Sequence, residues 1–348
     1  MLERLADNPL LRPADVSPTR ADLEVYCTLN PAAVHVGFET ILLVRVGERP
    51  AEQTSRDVAV CVYDPSADGV KIVRIPRDDP QLDASDPRKV MYRGRLLLTS
   101  LSHLRVARST DGRHFTFDPA PAIFPSTPYE TFGCEDARIT PMGGEYLITY
   151  TSVSECGVTV SLAATRDFVS FEKRGVIFPP YQKDVCIFPD KIRGLYVCRH
   201  RPFKSEFNPA SIWTAYSPDL LSWGRHEMTL APQPGTWSAG RVGCGAPPVR
   251  TDEGWLEIFH AADADGRYCL GAMLSDLDHP ERCICHSSRP VFEPKADYEL
   301  AGVYGNCVFS SGMAPKPDGT LVVYYGAADS ICAAAVTTVD EMVAAARS

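Results

Sequence analysis

The chain has no long apolar run, no basic tract and no array of paired cysteines. No window approaches the roughly 18 consecutive apolar residues of a membrane-spanning helix, which excludes a helical membrane protein. The opening MLERLADNPLLRPADVSPTR is acidic from Glu3 and lacks the apolar core of a secretory signal, so the expectation is a cytoplasmic protein. A formal net charge of −9 without a basic run sets the chain against nucleic acid, whose phosphates it would repel. Any anion site must therefore be small and local. GCGAPP (243–248) has neither the GK[ST] of a phosphate loop nor a strand-turn-helix context, and reads as a Gly/Pro-rich strand entrance. The twelve cysteines are scattered through apolar contexts such as VAVCVYD, DVCIFP and LYVCRH, the pattern of free core thiols. Cys283, Cys285 and His286 have no second cluster to complete four zinc ligands, so no metal is expected.

What is present is a repeat. A short apolar stretch leading into Ser/Thr, Asp and an aromatic or leucine recurs at Asp111, Asp167, Asp219, Asp276 and Asp340, with spacings of 56, 52, 57 and 64. Between the copies lie short β-branched and aromatic runs such as YLITYTSV, GWLEIFHAAD and TLVVYYGAAD, bounded by Gly, Pro, Asn and Asp, which read as strands. A period of about 55 residues with about four strands per copy is the signature of propeller blades, sheets that bury their faces only against each other. Five copies predict an all-β, five-bladed β-propeller over residues 21–345, a single catalytic domain preceded by an N-terminal extension, 1–20. TILLVRVGE is the strand expected to complete the last blade, and only the first twenty or so residues and the tail DEMVAAARS look helical or loose.

Charge inside the strands marks the candidate site. TFGCEDARIT (131–140) places Glu135, Asp136 and Arg138 in what otherwise reads as a buried strand of the second blade, and strand alternation puts Asp136 and Arg138 on one face. Comparable places in other blades are also polar: Lys183 and Asp184, His200 and Arg201, Arg241, His260 and Asp329. Cations that face a channel need anions, so Lys183, His200, Arg201 and Arg241 around one axis predict an oxyanion site that suits phosphate.

FGCEDARI, QKDVCIFPDKIRGLYVCRHRP, IWTAYSPDLLSWG, RVGCGAPPVRTDEGWLEIFHA and YYGAADSICAAA, in this order from about Leu29 to Ala345, resemble glycoside hydrolase family 130. The resemblance implies five-bladed propellers acting on β-mannosides, mostly as inverting phosphorylases that release α-mannose 1-phosphate from the non-reducing end. By it, Asp136 is the general acid, reaching the leaving oxygen through a hydroxyl of the mannose. Asn30 and Arg45 hold the sugar at the cleavage subsite, with Arg138 and Asp329 as further polar residues of the pocket; His260, ending its strand, is expected to bind substrate beside them. Lys183, His200, Arg201 and Arg241 bind phosphate. It implies inorganic phosphate as co-substrate, no metal or organic cofactor, and a β-linked manno-oligosaccharide or mannoside as partner, with a homo-oligomer left open. The chain departs from the family at Ala137, Gln182 and Arg241, where proline, asparagine and lysine are common.

The chemistry distinguishes two other readings. An inverting hydrolase needs a second carboxylate to activate water, and Glu206 and Glu257 are the nearest candidates. A non-catalytic sugar-binding propeller would be expected to lose the acid or the pocket arginines, which this chain retains.

Overall fold

The computed structural model describes residues 2–86 and 88–348, and the chain is mostly β. Apart from the C-terminal helix Val339–Ala346, helix is confined to single turns. Among the described residues, no helix is long and apolar enough to cross a membrane.

The strands fall into five antiparallel sets in chain order. The first holds Leu23–Val36, Glu39–Pro50, Leu101–Ser109 and Thr116–Phe117. The second holds Gly133–Met142, Glu145–Ser154, Gly157–Thr165 and Glu172–Phe178, and touches the first through one parallel pair, Gly133 with Ser102. The third runs Gln182–Ile187, Tyr196–Pro202, Ile212–Ser217 and Gly224–Leu230. In the fourth, Arg241–Cys244 and the short Val249–Thr251 both pair with Gly254–Ala262, followed by Tyr268–Ser275 and Cys283–His286. The fifth is Val308–Pro315, Thr320–Ala327 and Ile331–Thr338, completed by Glu3–Arg4.

The repeated aspartates now have a structural reason. Each follows the third strand of its sheet. Asp111, Asp167, Asp219 and Asp276 each use Oδ1 to accept two backbone N–H groups of the next turn, as Asp219 does from Leu221 (2.9 Å) and Ser222 (2.7 Å). This side-chain mimic of a backbone turn reverses the chain toward the fourth strand. At the last copy Thr338 takes over and caps the C-terminal helix through the Glu341 amide.

Two expectations fail here. TILLVRVGE does not complete the fifth sheet but lies in the middle of the first, paired on both sides. Its Ile41–Val44 run is fully buried, and a continuous apolar run belongs to a strand covered on both faces, not to an edge. The fifth sheet is completed by Glu3 and Arg4, opposite Val336 and Ala335, so a segment that looked loose carries a strand. In addition, residues 57–98 form two small sheets inserted between the second and third strands of the first set. Nothing upstream of Asp111 repeats, so periodicity could not signal them.

The cores lie between consecutive sheets. Leu43, Leu104, Ile139 and Ile148 join the first to the second. Leu162, Ile187 and Cys198 join the second to the third, Ile212, Phe259 and Met273 the third to the fourth, and Leu256, Leu270 and Val323 the fourth to the fifth. Leu42, Val44, Val322 and Tyr324 then join the fifth back to the first. Each sheet thus buries both faces against different neighbours.

Candidate functional site

The first strands of four sheets lose register where they carry their polar residues. Shifts fall between Leu29 and Ala32, Glu135 and Arg138, Lys183 and Cys186, and Ser310 and Gly312. At three of these bulges the backbone is left-handed at Asn30 (φ 47°), Asp136 (φ 48°) and Asp184 (φ 57°), and Asp329 (φ 51°) adopts it in the turn after Thr320–Ala327. Asn and Asp tolerate this region better than other side chains, and a bulge re-aims a side chain out of strict alternation. Two glycines make room for the result. A Cβ at Gly326 would sit 2.2 Å from Asn30 Oδ1, and one at Gly243 2.3 Å from His260 Nε2.

These strands converge on a cavity of about 530 Å³. Its lining carries Arg45, Arg88, Lys89, Lys183, Arg201, Lys204 and Arg241 against Asp136, Asp184 and Asp329, so seven cations face three carboxylates. The excess of four positive charges sits in a chain of net charge −9. Tyr268, Tyr304, Phe203 and Phe309 supply aromatic wall. A hollow of about 580 Å³ near Tyr129 and Val176 has only Glu130 and Lys173 as charged lining residues, and they pair with each other.

The three carboxylates differ. Asp136 Oδ1 accepts from Asn30 Nδ2 (2.9 Å) and Arg45 Nη1 (3.2 Å). Burial opposes its charge, but Arg45, Lys183 and Arg138 outweigh burial and hold it below the usual carboxylate range. Asp184 is saturated by Arg138 (3.1 Å), Arg201 (2.6 Å) and His260 (3.3 Å), and despite burial its carboxyl stays well below the usual value. Asp329 has no hydrogen-bond or ion-pair partner among the described residues. Burial, reinforced by the charge of Asp136, pushes it up to about 6. Behind them, Glu135 bridges Arg45 Nη2 (2.9 Å) and Lys183 Nζ (3.3 Å).

Of the residues singled out from sequence, Asn30, Arg45, Asp136, Lys183, Arg201, Arg241, His260 and Asp329 line the cavity. Arg138 and His200 do not. The bulge after Glu135 separates Asp136 from Arg138, whose guanidinium is buried beneath the cavity, donating to the Asp136 and Cys244 carbonyls (2.8 and 2.9 Å) and to Asp184. It holds the Asp136 backbone in place. His200 is on the opposite face of its strand from Arg201, as regular alternation requires. It stacks on Phe178 (4.9 Å) and bonds Gln182 and His226, and burial lowers its basicity to about 3, so it brings no cation to the cavity. The two candidate bases also lie elsewhere: Glu257 is buried against Arg199 (2.5 Å) and Ser275, and Glu206 is exposed on the surface. Sequence reading missed Arg88 and Lys89, which arrive on the insertion, and the aromatic wall. Asp184 was visible as a charge interrupting a strand but was given no role.

A sequence profile of the glycoside hydrolase 130 family, described as β-1,4-mannooligosaccharide phosphorylase, matches residues 86–348. The chain is 40% identical over 343 residues to the β-1,2-mannobiose phosphorylase of Listeria innocua, covering 97% of this chain and 96% of that protein. It is 38% identical over 239 residues to the 1,2-β-oligomannan phosphorylase of a Thermoanaerobacter species, covering 68% and 78%. The solved structure of the Listeria enzyme with β-1,2-mannobiose superposes with a TM-score of 0.95 over 99% of both chains.

Proposed function

The chain belongs to glycoside hydrolase family 130 and is a mannoside phosphorylase; we propose that its substrate is β-1,2-mannobiose or a short β-1,2-mannan, cleaved with inversion to α-mannose 1-phosphate. The family description names a β-1,4 linkage, but both relatives above are named for 1,2-linked substrates, and the Listeria enzyme aligns over nearly the whole chain.

The observation that carries the reading is the cationic excess of the cavity. Inverting cleavage needs a proton for the leaving oxygen and a nucleophile on the opposite face of the ring. Phosphate is already anionic, so cations that hold it in line replace the base a hydrolase requires. In this reading Lys183, Arg201 and Arg241 hold phosphate, and Asp136 supplies the proton. Asn30, Arg45, His260 and Asp329 bind the mannosyl hydroxyls. Arg138 acts through the Asp136 backbone and not on sugar, and His200 has no part in binding phosphate. The positions of Glu206 and Glu257 argue against the hydrolase alternative. No metal or organic cofactor has a step in this chemistry.

The cyclic order of the five cores supports a five-bladed propeller over residues 21–345, with the preceding residues tying the fifth sheet, and we place the enzyme in the cytoplasm. The test is incubation with β-1,2-mannobiose with and without phosphate. Mannose 1-phosphate formed only with phosphate is expected. Equal release of free mannose in phosphate-free buffer would overturn the reading.

A further inference from the structure

A general acid must hold a proton when the leaving oxygen departs, yet Asp136 is surrounded by groups that favour its ionised form. Arg45 and Asn30 contact its Oδ1, and Lys183 is held nearby by Glu135, which also grips Arg45. Lys183, Glu135, Arg45 and Asp136 therefore form one continuous chain of charges, from the cations facing the cavity to the acid. Resting on the phosphorylase reading, we propose that binding of phosphate is what loads the proton onto Asp136, because Lys183, which stands beside the acid and shares Glu135 with Arg45, is a cation that a phosphate dianion neutralises. A like charge nearby favours the neutral form of a carboxyl, and a buried cavity screens that effect little.

Every charged or titratable neighbour bears on this. The first sheet contributes Arg45 and the insertion Arg88 and Lys89; the acid's own sheet contributes Glu135 and Arg138. The third sheet and the loop after its second strand bring Lys183, Asp184, Arg201 and Lys204, the fourth Arg241, His260 and Tyr268, and the fifth with its entry loop Asp329, Cys307 and Tyr304. Asp184 is saturated, and burial lowers the basicity of His260, which donates to Asp184; that leaves Asp329 as the competing proton acceptor.

The steps balance. Asp136 takes a proton from solvent as hydrogen phosphate binds. That proton goes to the leaving oxygen as its bond to C1 breaks and the bond from phosphate oxygen to C1 forms, and the phosphate's own hydrogen returns to solvent as the sugar phosphate leaves. Water brings no negative charge, so in its presence alone the acid stays ionised and hydrolysis is suppressed.

Sulfate is the probe, because unlike phosphate it does not itself titrate near neutrality. Calorimetry of sulfate binding at about pH 6 to 7, in buffers of different ionisation enthalpy, reads proton uptake directly. Wild type and Asp329→Asn are expected to take up about half to one proton per bound sulfate, and the double variant Asp136→Asn/Asp329→Asn to bind sulfate with no uptake. Sulfate binding to Asp329→Asn without uptake, or uptake that survives in the Asp136→Asn/Asp329→Asn double variant, overturns the proposal. Loss of the proposal in this way leaves phosphorolysis itself intact, whereas an enzyme that makes no mannose 1-phosphate defeats the reading beneath it.

Discussion

Two pairs of carboxylates show how differently this fold uses negative charge. Glu130 and Glu299 each stand a few residues ahead of the first strand of a sheet, the second and the fifth. Glu130 accepts from the Ser126 and Thr127 amides (2.8 and 3.1 Å), the Tyr150 hydroxyl (2.9 Å) and Lys173 (2.8 Å). Glu299 accepts from the Lys295 and Ala296 amides (2.7 and 3.0 Å), the Tyr325 hydroxyl (2.8 Å) and Arg4 (2.7 Å). In both, burial raises the cost of charge and a cation with several donors outweighs it, so both carboxyls lie below the usual range. Asp136 is buried and Asp329 half-buried, but both face a cavity; among the described residues Asp329 has no side-chain donor, and Asp136 accepts only from Asn30 and Arg45. Saturated carboxylates hold sheets together. Unsaturated ones are left for a ligand.

The comparison breaks most sharply at Glu130. Glu130→Ala leaves Lys173 and two amides without their acceptor, and chemical denaturation should show a loss of about 3–5 kcal/mol while the folded fraction keeps its turnover. Lost turnover in a fully folded variant would place Glu130 in the chemistry. Asp136→Asn should do the reverse, lowering turnover by at least about 100-fold while the protein keeps its fold. Near-normal activity would remove Asp136 from the mechanism.

Next in size is Arg201→Ala. A charge-assisted contact to an oxyanion is worth about 1.5–3 kcal/mol, so the apparent phosphate constant should rise roughly 10- to 150-fold, with sugar affinity little changed. An equal effect on both substrates would move Arg201 to the sugar side. The smallest effect is at Asp329. Its folded carboxyl binds protons more tightly than an unfolded one, so the protein loses stability as pH rises from about 4 through about 6. Asp329→Asn should therefore melt above wild type by about 1–3 kcal/mol at pH 8, the gain vanishing toward pH 4. Identical curves at both pH values would show that the Asp329 carboxyl is not raised in the folded protein.

The repeat of aspartates was legible because four of the five copies use the same turn, and turn chemistry is local. The insertion at 57–98 and the strand at Glu3–Arg4 were not: the first occurs once, and the second is two residues whose pairing partners lie more than 300 positions away. The two misjudged site residues divide in the same way. His200 and Arg201 are adjacent in an unbroken strand, so alternation alone could have separated them. Asp136 and Arg138 flank a bulge, and alternation misled.

The sequence by itself determined the strand content, the five-fold period, the local nature of any anion site and most of the polar residues that line it, because those follow from side-chain chemistry and short-range turn preferences. Only the tertiary structure decided which charges meet. It takes four left-handed polar residues and the convergence of five sheets to set Asp136 within reach of Arg45, to surround Asp184 with three partners, and to leave Asp329 with none among the described residues. Electrostatic interaction depends on distance in space and on exclusion from water, and neither is encoded by proximity along the chain.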